Sequence, residues 1–466
     1  MFYGRASELK KLDEMYKSGN FECAVIYGRR RVGKTTLIQE FIKGKKAVYF
    51  VAREASSQIN LSIFSGDVYS VTDKGHAGNS FFSDWERAFD YIGGIAKDER
   101  IILAIDEYPY LAQNYRPISS IIQAHIDGKL KSSKLFLILC GSSMSFMENQ
   151  VLGYKSPLYG RRTAQFKITP FNYFDSLPFF EGEAFSKPDK AVLYGMTGGI
   201  PEYLSKIDRG KSVKNNIVDL FLTVSGHLFE EPGNLIKQEL REPSTYNGII
   251  EAIAHGASRL NEIATKCGME SNKCAKYMTS LQSLGIIKKE MPVTENRSKK
   301  SIYILDDYMF RFWYRFVFPH MSAVVAELGE NIYTHEVEPH LNTYMGFIFE
   351  EICKQYMLMQ MKNNNLPIPL GKIGKWWGNN PKLKRQEEID ILILDGNSAI
   401  FGECKWTNAL TDADVLNDLR EQSKIFGYKD IWFYIFAKTG FTKRLIKESK
   451  SEAANNIKLI HFEDMS

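Results

Sequence analysis

The chain has 466 residues, too many for one hydrophobic core, and its length predicts about three domains. Apolar residues make up 44% and charged residues 25%, which excludes a disordered, fibrous or disulfide-scaffold protein. The net charge of +5 permits an anionic partner without requiring one, so local clustering has to decide.

Cys23, Cys140, Cys267, Cys274, Cys353 and Cys404 form no C-x-x-C pair and no zinc-ligand spacing, so reduced thiols and a cytoplasmic location are expected. The N-terminus enters a charged helix, over residues 1 to about 20, without an apolar leader. No run approaches the ~18 uncharged apolar residues of a membrane span, so no membrane partner is expected. Tyr308–Pro319, YMFRFWYRFVFP, comes nearest but carries Arg311 and Arg315, and is expected to be a buried interdomain helix.

Ala24–Phe41 reads AVIYGRRRVGKTTLIQEF, an apolar strand, a Gly-bounded loop and then a helical pattern. Gly28, Gly33, Lys34 and Thr35 fit G-x-x-x-x-G-K-[ST]. A polyphosphate needs several backbone N–H groups aimed inward at a helix N-terminus, and glycine lets the backbone come that close. Gly28, Arg29, Arg30, Arg31, Val32, Gly33, Lys34, Thr35 and Thr36 are the expected ATP-binding loop, with Lys34 at the β- and γ-phosphates and the Thr35 hydroxyl on Mg²⁺.

Lys46–Val51 is a second strand, and Arg100–Glu107, RIILAIDE, reads as a central parallel strand that delivers carboxylates to the sheet edge. Asp106 would hold the Mg²⁺ shell through water, and Glu107 would polarise the attacking water. Leu135–Cys140 is a further strand, ending in Ser142 and Ser143, either of which could sense the γ-phosphate. Arg161 or Arg162, before the strand-like Ala164–Ile168, would stabilise charge on the transferring phosphoryl group, in cis or across a homo-oligomer.

Together YGRRRVGKTTLI, IDE, CGSS, PLYGRRT, TPF and GGIPEYL make residues 1 to about 240 resemble the archaeal-type P-loop ATPases, an AAA-related family. The resemblance implies a parallel-sheet core over residues 1–175 and a helical lid over 176–240 that includes Gly198–Glu202.

Helical patterns at 246–255, 260–267 and 272–284 precede strands at 286–291 and 301–305 joined by a basic turn. This order predicts a winged helix-turn-helix within 241–320, with Ser271-Asn272 at the third helix's N-cap. Lys273, Lys276, Lys288, Lys289, Arg297, Lys299 and Lys300 would meet DNA phosphates; winged helices also serve as protein interfaces.

A second chemistry lies near the C-terminus. Glu387–Leu394 and Ile400–Trp406 flank an Asp395-Gly396 turn, a hairpin signal. A four-residue loop pairs Leu394 with Ala399 and sets Asp390 opposite Glu403, with Cβ atoms ~4.5–5.5 Å apart; a two-residue loop keeps both on one face. Period two puts Lys405 beside Glu403. Two carboxylates and a lysine within apolar strands point to Mg²⁺-assisted phosphodiester chemistry more than to a surface ion pair. The arrangement resembles the PD-(D/E)-x-K nucleases, which implies an α/β restriction-endonuclease-like fold over 335–466. The resemblance adds Glu350 as the helical acid, so that Glu350, Asp390 and Glu403 hold metal, and Gln422 as an accessory.

The expected protein is thus an α/β ATPase using ATP and Mg²⁺ to control DNA cleavage. Its rival is an ATP-driven switch that binds DNA or a protein partner without cutting.

Overall fold

The computed structural model describes residues 2–73, 81–182, 185–295, 300–380, 384–451 and 455–465. Two units divide the chain, Met1–Pro170 with Ile200–Glu202, and Phe171–Gly199 with Tyr203–Ser466. Arg297 and Lys299 of the basic turn lie outside the described residues. No helix of the described residues is long and apolar enough to cross a membrane.

The first unit is built on five parallel strands, β1 (Glu22–Tyr27), β2 (Ala47–Val51), β3 (Ile101–Asp106), β4 (Leu135–Gly141) and β5 (Ala164–Lys167), in the order β2-β3-β4-β1-β5. Alternation sends Val25, Tyr27, Leu103 and Ile105 to one core, and Ala24, Ile26, Ile102 and Ala104 to another. With both faces covered, β3 and β4 are buried at every residue, whereas the edge strand β5 alternates. The loop after β1 runs into helix α1 (Lys34–Ile42), and the acids after β3 lie one strand away across β4.

Gly28 is required by a close approach. A Cβ there would stand 2.2 Å from the Ile168 carbonyl oxygen, and Ile168 is itself tied by its N–H to the Tyr27 carbonyl at 2.7 Å. Gly28→Ala is therefore expected to cost about 1–3 kcal/mol, as forced overpacking does; a thermal midpoint equal to the parent's would overturn this.

In the second unit, helices α2 (Pro243–Ala254), α3 (Leu260–Lys266) and α4 (Ser271–Ser283) precede the antiparallel pair β6 (Ile287–Glu290) and β7 (Ile302–Leu305). The α4 N-cap is Glu270, not Ser271-Asn272: the Ser271 hydroxyl is spent on Asn261 Oδ1 at 3.1 Å. Lys288 is not a free phosphate contact, because its ammonium pairs with Glu351 and Asp306, both at 3.2 Å, and with Glu290 at 3.4 Å.

Helices α5 (Tyr308–Phe316) and α6 (Glu338–Lys362) lead into a mixed sheet of β8 (Lys372–Asn380), β9 (Arg385–Asp395), β10 (Ser398–Lys405), β11 (Asp430–Ala437) and β12 (Ile457–His461). The order is β12-β11-β10-β9-β8, antiparallel from β8 to β10 and parallel from β10 to β12.

Candidate functional site

Two constellations of charged side chains are built by these elements, one in each unit. In the first, the β1–α1 loop turns through Arg31 at φ 71° and Gly33 at φ 85°. Helix α1 has no side-chain cap and no acid in its first turn, so its leading N–H groups stay available to an anion. Lys34, 6% exposed, donates to the Arg29 carbonyl at 2.9 Å and so lies across the loop. Val32 is fully buried, and its carbonyl accepts from the Arg5 guanidinium at 3.2 Å. Arg30 donates to the Tyr110 hydroxyl at 2.9 Å. Arg29 is buried, and Thr36 is exposed beside Thr35.

Strand order brings the acids to this loop. The Thr35 hydroxyl donates to Asp106 Oδ2 at 2.8 Å, and the Tyr49 hydroxyl donates to the same oxygen at 2.7 Å. Hard oxygen donors from loop and strand fit a Mg²⁺ ion held with a nucleotide. Glu107 sits in the left-handed region at φ 50°, an uncommon conformation for a non-glycine residue. That conformation turns its carboxylate to Ser142, whose hydroxyl donates to Glu107 Oε2 at 2.8 Å. Ser142, not Ser143, is thus the serine that faces the acids, although both follow β4.

The two arginines are distinguished. Arg161 is consumed by a forked pair with Asp127, at 2.6 and 2.9 Å, and by the carbonyls of Pro157 and Tyr159. Arg162 lies 6.0 Å from the Tyr159 ring centroid and makes no hydrogen bond or ion pair with another described residue.

In the second unit, β9 and β10 pair Leu394 with Ala399 and Ile391 with Gly402, the register that the four-residue-loop count predicts, although the turn closes on an Asp395–Ser398 pair. Beyond Gly402 the Asp390 carboxylate takes over from the backbone ladder, accepting from the Cys404 N–H at 2.9 Å. On the other side the β8–β9 register shifts between Gly374 and Trp376, so that Lys375 alone stands against both Asp390 and Ile391. Such a bulge re-aims side chains. Lys375 pairs with Glu350 of α6 at 2.9 Å and also reaches Glu388, while Lys405 pairs with Glu403 at 2.6 Å.

Burial and the charge of Asp390 push Glu350 and Glu403 each up to about 7. Burial also raises Asp390, against the pull of Lys375, the Cys404 N–H and Lys405. For Lys375, burial works against the charge, but Glu350 and Glu388 outweigh it and hold the ammonium protonated.

The donor chemistry of Glu350, Asp390 and Glu403 is that of a divalent-cation site, but the side-chain positions are those of ion pairs. Among the described residues no three acidic, His or Cys groups stand close enough to share a metal ion. The expected single ligand set is thus divided between two lysines, because a buried carboxylate takes the nearest ammonium where an unpaired charge is costly. Gln422 does not join the set; its amide donates to Glu387 Oε2 at 2.9 Å. No local motif marks Lys375, Tyr49 or Arg5, since a bulge places the first, strand order the second, and the start of the Ala6–Lys17 helix the third.

Comparison with known proteins bears on both units. Residues 2–207 match a family described as an ATPase domain predominantly from Archaea, and residues 313–418 match one described as archaea bacterial proteins of unknown function. The uncharacterized protein MJECL04 of Methanocaldococcus jannaschii is 35% identical over 478 residues, covering 100% of both chains. The uncharacterized ATP-binding protein MJ0423 of the same organism is 44% identical over 46 residues, 10% of this chain and 78% of its own. The Walker-type ATPase PABY2304 of Pyrococcus abyssi is 18% identical with a TM-score of 0.51, over 67% of this chain and 96% of its own, a likeness of fold. The chain belongs to one family with the Methanocaldococcus jannaschii protein MJECL04 and carries a P-loop ATPase domain of the archaeal type.

Proposed function

We propose that the protein hydrolyses ATP with Mg²⁺ and uses its nucleotide state to control a Mg²⁺-dependent, DNA-cleaving C-terminal domain of the PD-(D/E)-x-K type. The observation that carries the nuclease reading is the convergence on Asp390 of two further half-buried carboxylates and two lysines, from α6, β8, β9 and β10. Glu350, Asp390 and Glu403 would hold the cation, which lowers the pKa of a bound water and offsets charge on a phosphodiester. Lys405 and Lys375 would then be free to meet the scissile phosphate. The helices α2–α4 with the pair β6–β7 would act as a winged helix that positions DNA through Lys273, Lys276 and Lys289. The domains expected at 1–175, 176–240, 241–320 and 335–466 divide these tasks.

The test is a cleavage assay on duplex, branched and single-stranded DNA, with and without ATP, comparing the parent with Lys405→Ala. A second reading, an ATP-driven switch without cleavage, is favoured by the two closed lysine–glutamate pairs. Calorimetry of the full chain with Mn²⁺, comparing the parent with Asp390→Asn, separates the two: loss of a binding event in the variant supports the nuclease, and identical isotherms support the switch.

In the ATPase site Arg162 is the arginine proposed to act on the phosphates, and a homo-oligomer would be needed if it acts in trans. Arg162→Ala should lower phosphate release by on the order of 10³-fold. Arg161→Ala should instead lower the thermal midpoint slightly, as loss of a half-exposed ion pair does. The reverse pattern would reassign the role to Arg161.

A further inference from the structure

Helix α5 buries seven of its nine side chains and leaves out Arg311 and Arg315. Spaced i, i+4, the two guanidiniums share one face, where like charges repel. Neither makes a hydrogen bond or ion pair through its guanidinium with another described residue. Arg311 lies 3.8 Å above the Phe347 ring centroid, a cation–π contact that holds its plane but satisfies none of its five N–H donors. Burial works against its charge.

The acids whose charge acts on Arg311 are paired elsewhere, Glu350 with Lys375 and Glu351 with Lys288. Both arginines line a cavity of about 360 Å³ with no acid among its described lining residues, although Arg311 also borders a second cavity with Glu290, Glu387 and Glu388. His340 and Thr343, one turn apart on α6, face it, and Ser258 adds a hydroxyl from the loop after α2. Ile253 and Leu305 supply an apolar wall. The Tyr344 hydroxyl is spent on the Gly195 and Tyr308 carbonyls, and His340 Nδ1 on the Glu336 carbonyl.

We propose that this cavity binds a small organic phosphate. Two guanidinium forks match a dianion better than a single carboxylate. The volume exceeds that of a free phosphate and lies in the ~300–1,000 Å³ range of small-molecule sites. The phosphate would sit between Arg311 and Arg315, with the organic body against Ile253 and Leu305.

The test is calorimetric titration of the full chain carrying Lys34→Ala, which weakens the phosphate loop, with AMP, ribose 5-phosphate and inorganic phosphate. The organic phosphates should bind, and Arg315→Gln or Arg311→Lys should weaken them at least ~tenfold, as loss of a charged, bidentate contact does. Arg315 is exposed, so its variant tests the site even where an Arg311 variant fails to fold. Binding that survives Arg315→Gln unchanged, absence of binding in the parent, or capture of a 5′-phosphorylated oligonucleotide in preference to both organic phosphates would overturn the assignment.

Discussion

Lys34→Ala is expected to abolish ATP turnover, a loss on the order of 10²–10³-fold or more, as for removal of a preorganised donor aimed at developing charge. Lys34 opens helix α1, whose leading N–H groups are uncapped. The residue is 6% exposed, so water screens its charge weakly and its attraction to a phosphate is correspondingly strong. Its bond to the Arg29 carbonyl holds it across the loop, where an arriving phosphate would exchange a neutral acceptor for a charged one. Alanine keeps the helix end, equivalent to about half a positive charge, so nucleotide binding should weaken less than turnover. The lost hydrogen bond is worth about 1 kcal/mol, a small fall in thermal midpoint. Phosphate release, equilibrium binding of ATP and a thermal melt separate these effects. Turnover retained by a folded Lys34→Ala protein would sink the assignment of the loop.

The parts of the fold that could be read from sequence are those whose physics is local. Continuous apolar runs announced β3 and β4 because both sheet faces are covered, and an Asp-Gly turn set the β9–β10 register, which holds as far as the Ile391–Gly402 pair beside Asp390 and Glu403. What escaped depends on distant partners. Lys288 looked like one cation of a basic surface, but Glu290, Asp306 and Glu351 turn it into the centre of an ion cluster. Arg161 and Arg162 are equivalent in sequence until Asp127, on a separate helix, claims the first. Lys375 was visible only as one residue among tryptophans and glycines; the bulge opposite it gives it its position against Asp390, and bulges leave no composition signal.

Lys405→Ala should lower DNA cleavage by on the order of 10²-fold or more while leaving ATP turnover within about twofold, the scale expected for a single charge contact to the transition state. Two effects act in the same direction. The ammonium is lost from the C-terminal end of β10, and Glu403 loses the partner that restrains its upward shift. The Glu403 carboxyl already titrates at about 7, raised first by burial and then by Asp390. Without Lys405 it goes higher, so at neutral pH it is mostly protonated and a poor ligand for a divalent cation. Lys405→Arg separates the effects, since it keeps a cation beside Glu403 but replaces a compact ammonium with a planar fork. Cleavage lost in Lys405→Arg with Mn²⁺ binding retained assigns the ammonium to the phosphodiester. Binding lost in Lys405→Ala and retained in Lys405→Arg assigns the lysine to keeping Glu403 ionised. If Lys405→Ala cuts duplex, branched and single-stranded DNA as fast as the parent, the C-terminal sheet is not a nuclease, and the Glu350–Lys375 and Glu403–Lys405 pairs are the half-buried supports of a switch.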